Sequence, residues 1–382
     1  MAEKVKRRTD VKPELLRTIA CFMVILIHIR VRPVVDGMVL TMPVLIGCFL
    51  SSSVGVFFLV TGFFMYDGGK SIWKTAKSFL IKILGPTLFV VFMTLVFNNW
   101  IMGQATILDS IRQTDYAVVL KSMLDGVLHL SSDYWGFLCA HLWYIAEHAR
   151  LVLFFPIMVV VVKYAGSNVL IYAAGINVFF CFMIDMYRTF GNFSFLYVEP
   201  FLRPSQALVL IGCLLYHYKD RLKEKKHMSV ALFSAYVVCI LWMYYCQMNQ
   251  FRIEGGDWPS AYFITWLSGV GMITAILLVA FVMSLPDDLR LWKWVEKPVF
   301  FFGDLSFLIY LVQYAIIMKM NTKGISGRFI EMTVTPAGTA AYYFLYGGII
   351  FIISAATAFL MKKAGGILTH YLRKILDNQK TL

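Results

Sequence analysis

The sequence predicts an all-α, polytopic integral membrane protein with about ten transmembrane helices. Hydrophobic residues make up 59% of its 382 residues and charged residues only 15%. The hydrophobic share is higher, and the charged share lower, than in a soluble domain. No Gly/Ser/Pro linker, low-complexity tract or internal repeat divides the chain. We therefore expect residues 1–382 to form a single transmembrane domain.

Ten apolar segments support this fold class. A spanning helix needs roughly 20 mostly apolar residues, because the hydrocarbon core is about 30 Å thick and each residue rises about 1.5 Å. The segments are 15–29, 43–65, 79–97, 142–162, 168–186, 205–218, 229–248, 262–285, 299–318 and 340–361. The first and sixth are the shortest.

The positive charges predict the orientation. Of the 35 Lys and Arg residues, 23 lie on the connections that share a side with the N-terminus, ten lie on the opposite connections, and Arg17 and Arg150 lie within spans. Cytoplasmic connections carry the excess of positive charge. We therefore expect both termini to be cytoplasmic, with tails at 1–14 and 363–382, a long outer loop at 98–141, and the first span retained as an anchor.

The net charge of +13 has the same explanation. Basic groups beside an anionic leaflet are favourable by about 1 kcal/mol each, and here they alternate between connections, so we predict membrane lipids as partners and no nucleic acid. The seven cysteines form no C-x-x-C pair, and we predict neither a disulfide framework nor a metal site.

Arg17 and His28 are the candidate catalytic residues. Ionisable side chains within a span are costly and therefore often functional. Eleven residues of helix place both on one face, roughly 16 Å apart along the axis. A neutral imidazole is suited to take a proton from a hydroxyl nucleophile. The alternative is structural, with Arg17 reaching the inner headgroups and His28 at the outer interface.

Other charged and aromatic residues also allow two interpretations. Lys74, Lys77 and Lys82, with the nearby Lys70, either anchor the inner side or bind phosphates of a donor. Glu147 and Arg150 have the i, i+3 spacing of an ion pair. Trp143 and Tyr144 are most simply interfacial aromatics. In the outer loop, 107–130 has the pattern of a short helix. Candidate contacts to sugar hydroxyls there, or simply a solvated surface, are Asp109, Asp115, Asp125, Asp133 and Tyr134.

Five short motifs carry a resemblance to a known family. In chain order they are Arg17 with His28, residues 55–64 (GVFFLVTGFF), 79–86 (FLIKILGP), 141–145 (HLWYI) and 302–312 (FGDLSFLIYLV). They resemble, in the same order, motifs of the acyltransferase-3 family: R-x10-H, G-V-x-x-F-F-x-x-S-G-F, R-I-x-x-P, H-L-W-F-L and G-x-x-S-x-x-I-Y-L-x-H. Two positions depart from these patterns. Phe79 replaces the earlier of two basic residues expected there, and Gln313 replaces the final histidine.

The resemblance implies a membrane enzyme that moves acetyl or other short acyl groups onto cell-surface glycans. It implies acyl-CoA, with acetyl-CoA the first candidate, as co-substrate and no bound cofactor. The acceptor would be a hydroxyl of a surface polysaccharide or of its lipid-linked precursor. Arg17 and His28 would be catalytic, with His28 as general base. Donor binding would involve Lys74, Lys77 and Lys82, and the acceptor pocket His141, Trp143, Tyr144 and Glu147.

Two other functional classes remain open. A secondary transporter or flippase for a glycan-related substrate would also have about ten spans and a few intramembrane charges. It predicts two related halves with interrupted helices, a symmetry that the sequence does not display. A catalytically silent membrane scaffold is the third possibility, in view of Phe79 and Gln313. The cell membrane is the expected location in every case.

Overall fold

The computed structural model describes residues 10–29, 31, 34–35, 38–66, 72–164, 166–190, 202–225, 227–254, 262–287 and 289–379. In chain order its helices are α1 (Val11–His28), α2 (Thr41–Leu50), α3 (Ser53–Tyr66), α4 (Ile72–Phe79), α5 (Gly85–Val96), α6 (Asn98–Ile101), α7 (Ile107–Gln113), α8 (Tyr116–Leu128), α9 (Trp143–Tyr164), α10 (Gly166–Phe190), α11 (Pro204–His217), α12 (Lys219–Glu224), α13 (Met228–Glu254), α14 (Gly269–Ser284), α15 (Arg290–Thr322), α16 (Ile325–Ile330) and α17 (Pro336–Gln379). Short 3-10 helices cover Ser132–Trp135, Phe137–Leu142, Tyr262–Ile264 and Glu331–Val334, and a π-helical turn covers Leu80–Leu84. The two-residue strands β1 (Val34–Val35) and β2 (Met38–Val39) form a small antiparallel hairpin.

The helices confirm the predicted all-α membrane fold. Among the described residues, eight helical segments are long and apolar enough to cross a membrane, and they coincide with eight of the ten predicted spans. The first and sixth predicted spans are α1 and α11, with 18 and 14 residues. The protein is therefore a multi-pass membrane protein.

Helix α1 is short and carries three charged residues, yet it lies at the centre of the bundle. Leu16, Ala20 and Ile25 are all 0% exposed. The helix packs chiefly against α15, α3 and α17. Its polar face consequently points into protein, where an ionisable group has partners that lipid does not offer.

Helices α3 and α11 approach each other closely through glycine. A Cβ atom at Gly62 would lie 2.2 Å from the carbonyl oxygen of Val209, and one at Gly212 would lie 2.0 Å from that of Leu59. No other residue fits at either position without moving a backbone. Small residues at these two positions let the helices pack this closely.

The segments predicted to lie on the inner side meet at one end of the bundle. Lys12, 1% exposed, donates to Asp287 Oδ1 at 2.6 Å, and Lys223 donates to Asp287 Oδ2 at 2.8 Å. Partial burial raises the pKa of Asp287, but the hydrogen bonds from the two lysines outweigh it and hold the pKa below its usual value. Three connections distant in sequence are thus joined at this end, while His28 lies at the other; which end is cytoplasmic remains a prediction.

The segments predicted as tails and outer loop have regular structure. Within the predicted N-terminal tail, α1 already begins at Val11, and α17 continues through 363–379 of the predicted C-terminal tail. Residues 1–9 and 380–382 lie outside the described residues. Helices α6 to α8 and two 3-10 helices lie in the stretch 98–141. The range 107–130, predicted to hold one short helix, contains two, α7 and α8.

Candidate active site

Helices α1 and α15 run side by side in the same direction, and three contacts fix their register. The Thr18 hydroxyl donates to the Val299 carbonyl at 3.3 Å, and the Cys21 thiol to the Ser306 carbonyl at 3.4 Å. Further along, the rings of His28 and Tyr314 lie 5.3 Å apart. Because α1 is an unbroken helix, Arg17 and His28 mark the two ends of this interface, about 16 Å apart.

Arg17 is paired at the end of the interface nearer Lys12. Its Nη1 donates to both carboxylate oxygens of Glu14, at 3.1 Å each. Gly303 of α15 makes room for this carboxylate, since a Cβ atom there would lie 2.3 Å from Glu14 Oε2. The sequence analysis missed Glu14, although its i, i+3 spacing from Arg17 is a signal that could have identified it. An anionic donor at Arg17 would have to share this guanidinium with Glu14.

His28 lies in a cluster of rings at the other end of the interface. The ring of His141 is 5.9 Å from it and nearly perpendicular, at 83°. Tyr314 contacts both imidazoles, because its ring also stacks on His141 at 5.1 Å. His28 and Tyr314 are half-buried and His141 is buried. The structure therefore brings two candidate site residues together with a tyrosine that the sequence analysis missed.

His141 forms a hydrogen bond through its backbone, whereas its ring makes only aromatic contacts. It lies in the 3-10 helix that leads into α9, where its carbonyl accepts a hydrogen bond from the Tyr310 hydroxyl. Both ring nitrogens are buried and without a hydrogen-bond partner among the described residues. Unpaired buried polar atoms are uncommon and call for a ligand, a water or a functional reason. The His141 ring is thus held in place, while both of its nitrogens are left without a hydrogen bond among the described residues.

Tyr144 and Trp143 lie beside this cluster at the start of α9. The Tyr144 ring is 5.7 Å from that of Tyr310 and 5.0 Å from that of Phe58. Trp143 stacks on Trp266 with ring centroids 5.4 Å apart and planes within 5°. These aromatics are half-buried and pack against rings of neighbouring segments, and their position at a membrane interface stays a prediction.

Glu147 belongs to an ion network, which confirms its predicted pairing with Arg150 and extends it. Its Oε1 accepts from Arg150 and from Arg203, the latter at 2.9 Å, and its Oε2 from the Ser205 hydroxyl at 3.3 Å. Arg150 also donates to the Leu130 carbonyl at 2.9 Å. The carboxylate thus joins α9 to the start of α11, and its contacts are structural.

Lys74, Lys77 and Lys82 are all exposed. Among the described residues, no hydrogen bond or ion pair engages them or joins them to Arg17, and Lys70 lies outside the described residues. Lys82 lies in the π-helical turn. Pro86, four residues later, lacks the N–H that would donate to the Lys82 carbonyl. This explains why the regular α-helical hydrogen bonding is interrupted there. The structure leaves these ammonium groups available to a ligand or to headgroups.

Phe79, which stands where the family motif has a basic residue, stacks its ring on that of His148 at 6.0 Å. From there, neighbouring rings follow one another at centroid distances of 6.0, 5.7, 5.6 and 5.9 Å. The series runs Phe79, His148, Tyr144, Tyr310, His141, His28. A continuous row of rings therefore connects the lysine-bearing span to His28.

Several carboxylates of the stretch 98–141 form hydrogen bonds with residues close to them in sequence. Asp115 caps α8 by accepting from the backbone of Ala117 at 3.0 Å. Asp109 accepts from the Thr106 hydroxyl at 2.6 Å, and Asp133 from the Ser131 hydroxyl at 2.9 Å. These contacts favour the interpretation of a loop surface over that of a sugar site.

One family comparison matches almost the whole chain. The model of the acyltransferase-3 family, described as an acyltransferase domain, matches residues 10–359. Neither the curated proteins nor the solved structures that were compared give a match. The matched range includes α1, the ring cluster and α15. The chain therefore belongs to the acyltransferase-3 family and is a membrane acyltransferase.

Proposed function

We propose that this acyltransferase moves an acyl group from acyl-CoA, with acetyl-CoA the first candidate, to a hydroxyl of a cell-surface polysaccharide or of its lipid-linked precursor. The observation that carries the proposal is the cluster of His28, His141 and Tyr314 at one end of the α1–α15 interface. It presents a half-buried imidazole where a hydroxyl can approach, in the helix that also carries Arg17.

His28 acts as the general base in this proposal. The acceptor oxygen attacks the carbonyl carbon of the acyl thioester while an unprotonated ring nitrogen of His28 takes the hydroxyl proton. The tetrahedral intermediate collapses, the carbon–sulfur bond breaks, and the proton passes from the imidazolium to the leaving thiolate. The products are an ester and the thiol of coenzyme A. His141 and Tyr314 hold the His28 ring in position through the contacts described above.

The donor approaches from the end of the bundle that carries Arg17 and the exposed lysines. Lys74, Lys77 and Lys82 present unpaired ammonium groups to its phosphates. The roughly 16 Å between Arg17 and His28 calls for a long, flexible arm between the phosphates and the thioester, as in acyl-CoA. The row of rings from Phe79 to His28 connects the lysine-bearing span to the proposed base, and this proposal assigns the arm to that path, with direct transfer to the acceptor.

Mass spectrometry of surface glycans tests this function. Cells with the gene are compared with cells that lack it and with cells that make the His28→Gln variant at equal level. The expected result is an added acyl mass, released by mild alkali, only with the unchanged protein. Identical glycans in all three strains, together with altered uptake or export of a glycan precursor, would instead support a transporter or flippase.

A further inference from the structure

Gln313 is a buried side chain whose hydrogen-bonding capacity is unused. It is 0% exposed, and neither Oε1 nor Nε2 has a hydrogen-bond partner among the described residues. Leaving a buried polar atom unpaired costs about 1–3 kcal/mol. Gln247, equally buried, shows the usual outcome: it donates to Gln250 at 3.2 Å and accepts from the Phe263 backbone at 3.0 Å. The state of Gln313 therefore requires an explanation.

The register of α1 and α15 places Gln313 at the level of His28. Cys21 and Ser306 are in contact, and seven residues later on each helix come His28 and Gln313. Seven residues make nearly two turns, so both remain on the faces that meet in the interface. Tyr314, the next residue of α15, touches His28. The unused amide thus lies beside the proposed base, and His141, with two unpaired nitrogens, lies at the same level.

We propose that the Gln313 amide binds the carbonyl of the acyl group during transfer, an inference that rests on the proposed function. As the acceptor oxygen adds to the carbonyl carbon and His28 takes its proton, negative charge develops on the carbonyl oxygen. The Nε2–H of Gln313 donates to that oxygen and stabilises the charge until the carbon–sulfur bond breaks and the thiolate takes the proton from His28. Preorganised donors of this kind act most strongly in a site that excludes water.

This role explains why the Gln313 amide lies in an otherwise apolar interface. His28 removes the proton but contributes no charge stabilisation to the carbonyl oxygen. Gln313 is the complementary group, because an amide keeps its N–H donors at every pH. The ligand assigned to it is a thioester carbonyl, and its partner during transfer is the oxyanion formed from that carbonyl.

Transfer by membranes from cells that make each variant tests the assignment. Radiolabelled acetyl-CoA is the probe, the endogenous acceptor is present, and incorporated label is released by mild alkali. Gln313→Leu and the near-isosteric Gln313→Glu should lower the maximal rate about 100- to 1000-fold, the usual effect of losing one such donor, with little change in the apparent Michaelis constant. Gln313→His, which restores an N–H donor, should recover part of the rate.

The controls separate a catalytic role from a structural one. Gln250→Leu removes an equally buried amide outside the site and should keep the wild-type rate per molecule. Thermal unfolding of each purified variant reports folding, and Gln313→Leu should be at least as stable as wild type because it removes unpaired polar atoms. A stable Gln313→Leu protein with the wild-type rate would refute the assignment while leaving the proposed function intact. If wild type transfers no label and His28→Gln changes nothing, the proposed function itself fails, and this inference with it.

Discussion

The imidazole rings of His28 and His141 meet almost edge to face, 5.9 Å apart at 83°, although 113 positions separate them in the sequence. One ring ends α1 and the other lies in the 3-10 helix before α9. The end of the first span is therefore tied to the long connection that precedes the fourth, and the two histidines must be considered as one site.

Replacing His28 tests the proposed base. His28→Gln keeps size and hydrogen bonding but cannot take up a proton, and removing a general base typically costs 10²- to 10⁴-fold in rate. We expect acyl transfer in membranes to fall by that factor at unchanged protein level. His129→Gln, on the exposed loop surface, is the matched control and should transfer at the wild-type rate. Near wild-type transfer by His28→Gln would leave His28 a structural residue.

Replacing Lys82 tests the donor site. If its ammonium group binds donor phosphate, Lys82→Gln should raise the apparent Michaelis constant for acetyl-CoA. The difference from wild type should be largest at low ionic strength, where the lost attraction is least screened. Lys121→Gln, which removes an exposed lysine from the outer loop, controls for net charge. Equal salt dependence in both variants would assign Lys82 to membrane anchoring.

Replacing Asp287 tests its pairing with Lys12 and Lys223 through the pH dependence of stability. Its pKa is lowered in the folded protein, so its stabilising contribution is present above the usual aspartate pKa of about 3.9 and is lost as the pH falls through the folded value. Asp287→Asn should therefore unfold at a lower temperature than wild type near neutral pH, with the two curves converging in acid. Asp220→Asn, at the weaker 3.5 Å contact with Lys223, should differ little from wild type. Parallel curves for Asp287→Asn and wild type would disprove the pairing.

Replacing Gly303 tests the pocket for the Glu14–Arg17 pair. The added methyl group of Gly303→Ala meets the Glu14 carboxylate, and overpacking of this kind typically costs about 1–3 kcal/mol. The loss should shrink in a Glu14→Ala background, which a double-mutant cycle measures by thermal unfolding. Gly348→Ala is the control, because a Cβ atom there meets nothing within 4 Å. Additive losses would mean that Gly303 does not accommodate Glu14.

Cysteine labelling tests the orientation. Lys223 lies at the end of the bundle that carries Lys12, and Lys121 lies in the predicted outer loop, 98–141. An impermeant maleimide should label Lys121→Cys in intact cells and Lys223→Cys only after permeabilisation. Wild-type background should be low, since six of the seven native cysteines are buried. The opposite pattern would invert the predicted topology.

The sequence predicted the spans well because hydrocarbon thickness limits apolar length. It predicted helix ends less well, since a helix can continue beyond the membrane: the tenth predicted span, 340–361, is part of α17 at Pro336–Gln379. It also missed the break between α2 and α3 at Ser51 and Ser52, whose hydroxyls bond back to the carbonyls of Cys48 and Phe49.

The site was only partly predictable. Arg17 and His28 share one helix, so their spacing in the sequence was enough to predict their separation and their common face. The same reasoning could have predicted the contact of Arg17 with Glu14. The contacts of His28 with His141 and Tyr314, of Glu147 with Arg203, and of Phe79 with His148 join distant segments. No local periodicity encodes such distances. The sequence shows Gln313 only as a departure from a motif. That its amide is buried and without a hydrogen-bond partner among the described residues can be seen only in the structure.

The π-helical turn at Leu80–Leu84 changes how this span can vary. It adds one residue to the helix without adding a full α-helical step, so everything before it is rotated by about 100° relative to a regular α-helix. Deleting one residue there would restore an unbroken ladder up to Pro86, yet it would swing Phe79 away from His148 and turn Lys74 and Lys77 to a different side. A one-residue deletion at this position would therefore change which neighbours the side chains before the turn meet, while those after it keep theirs.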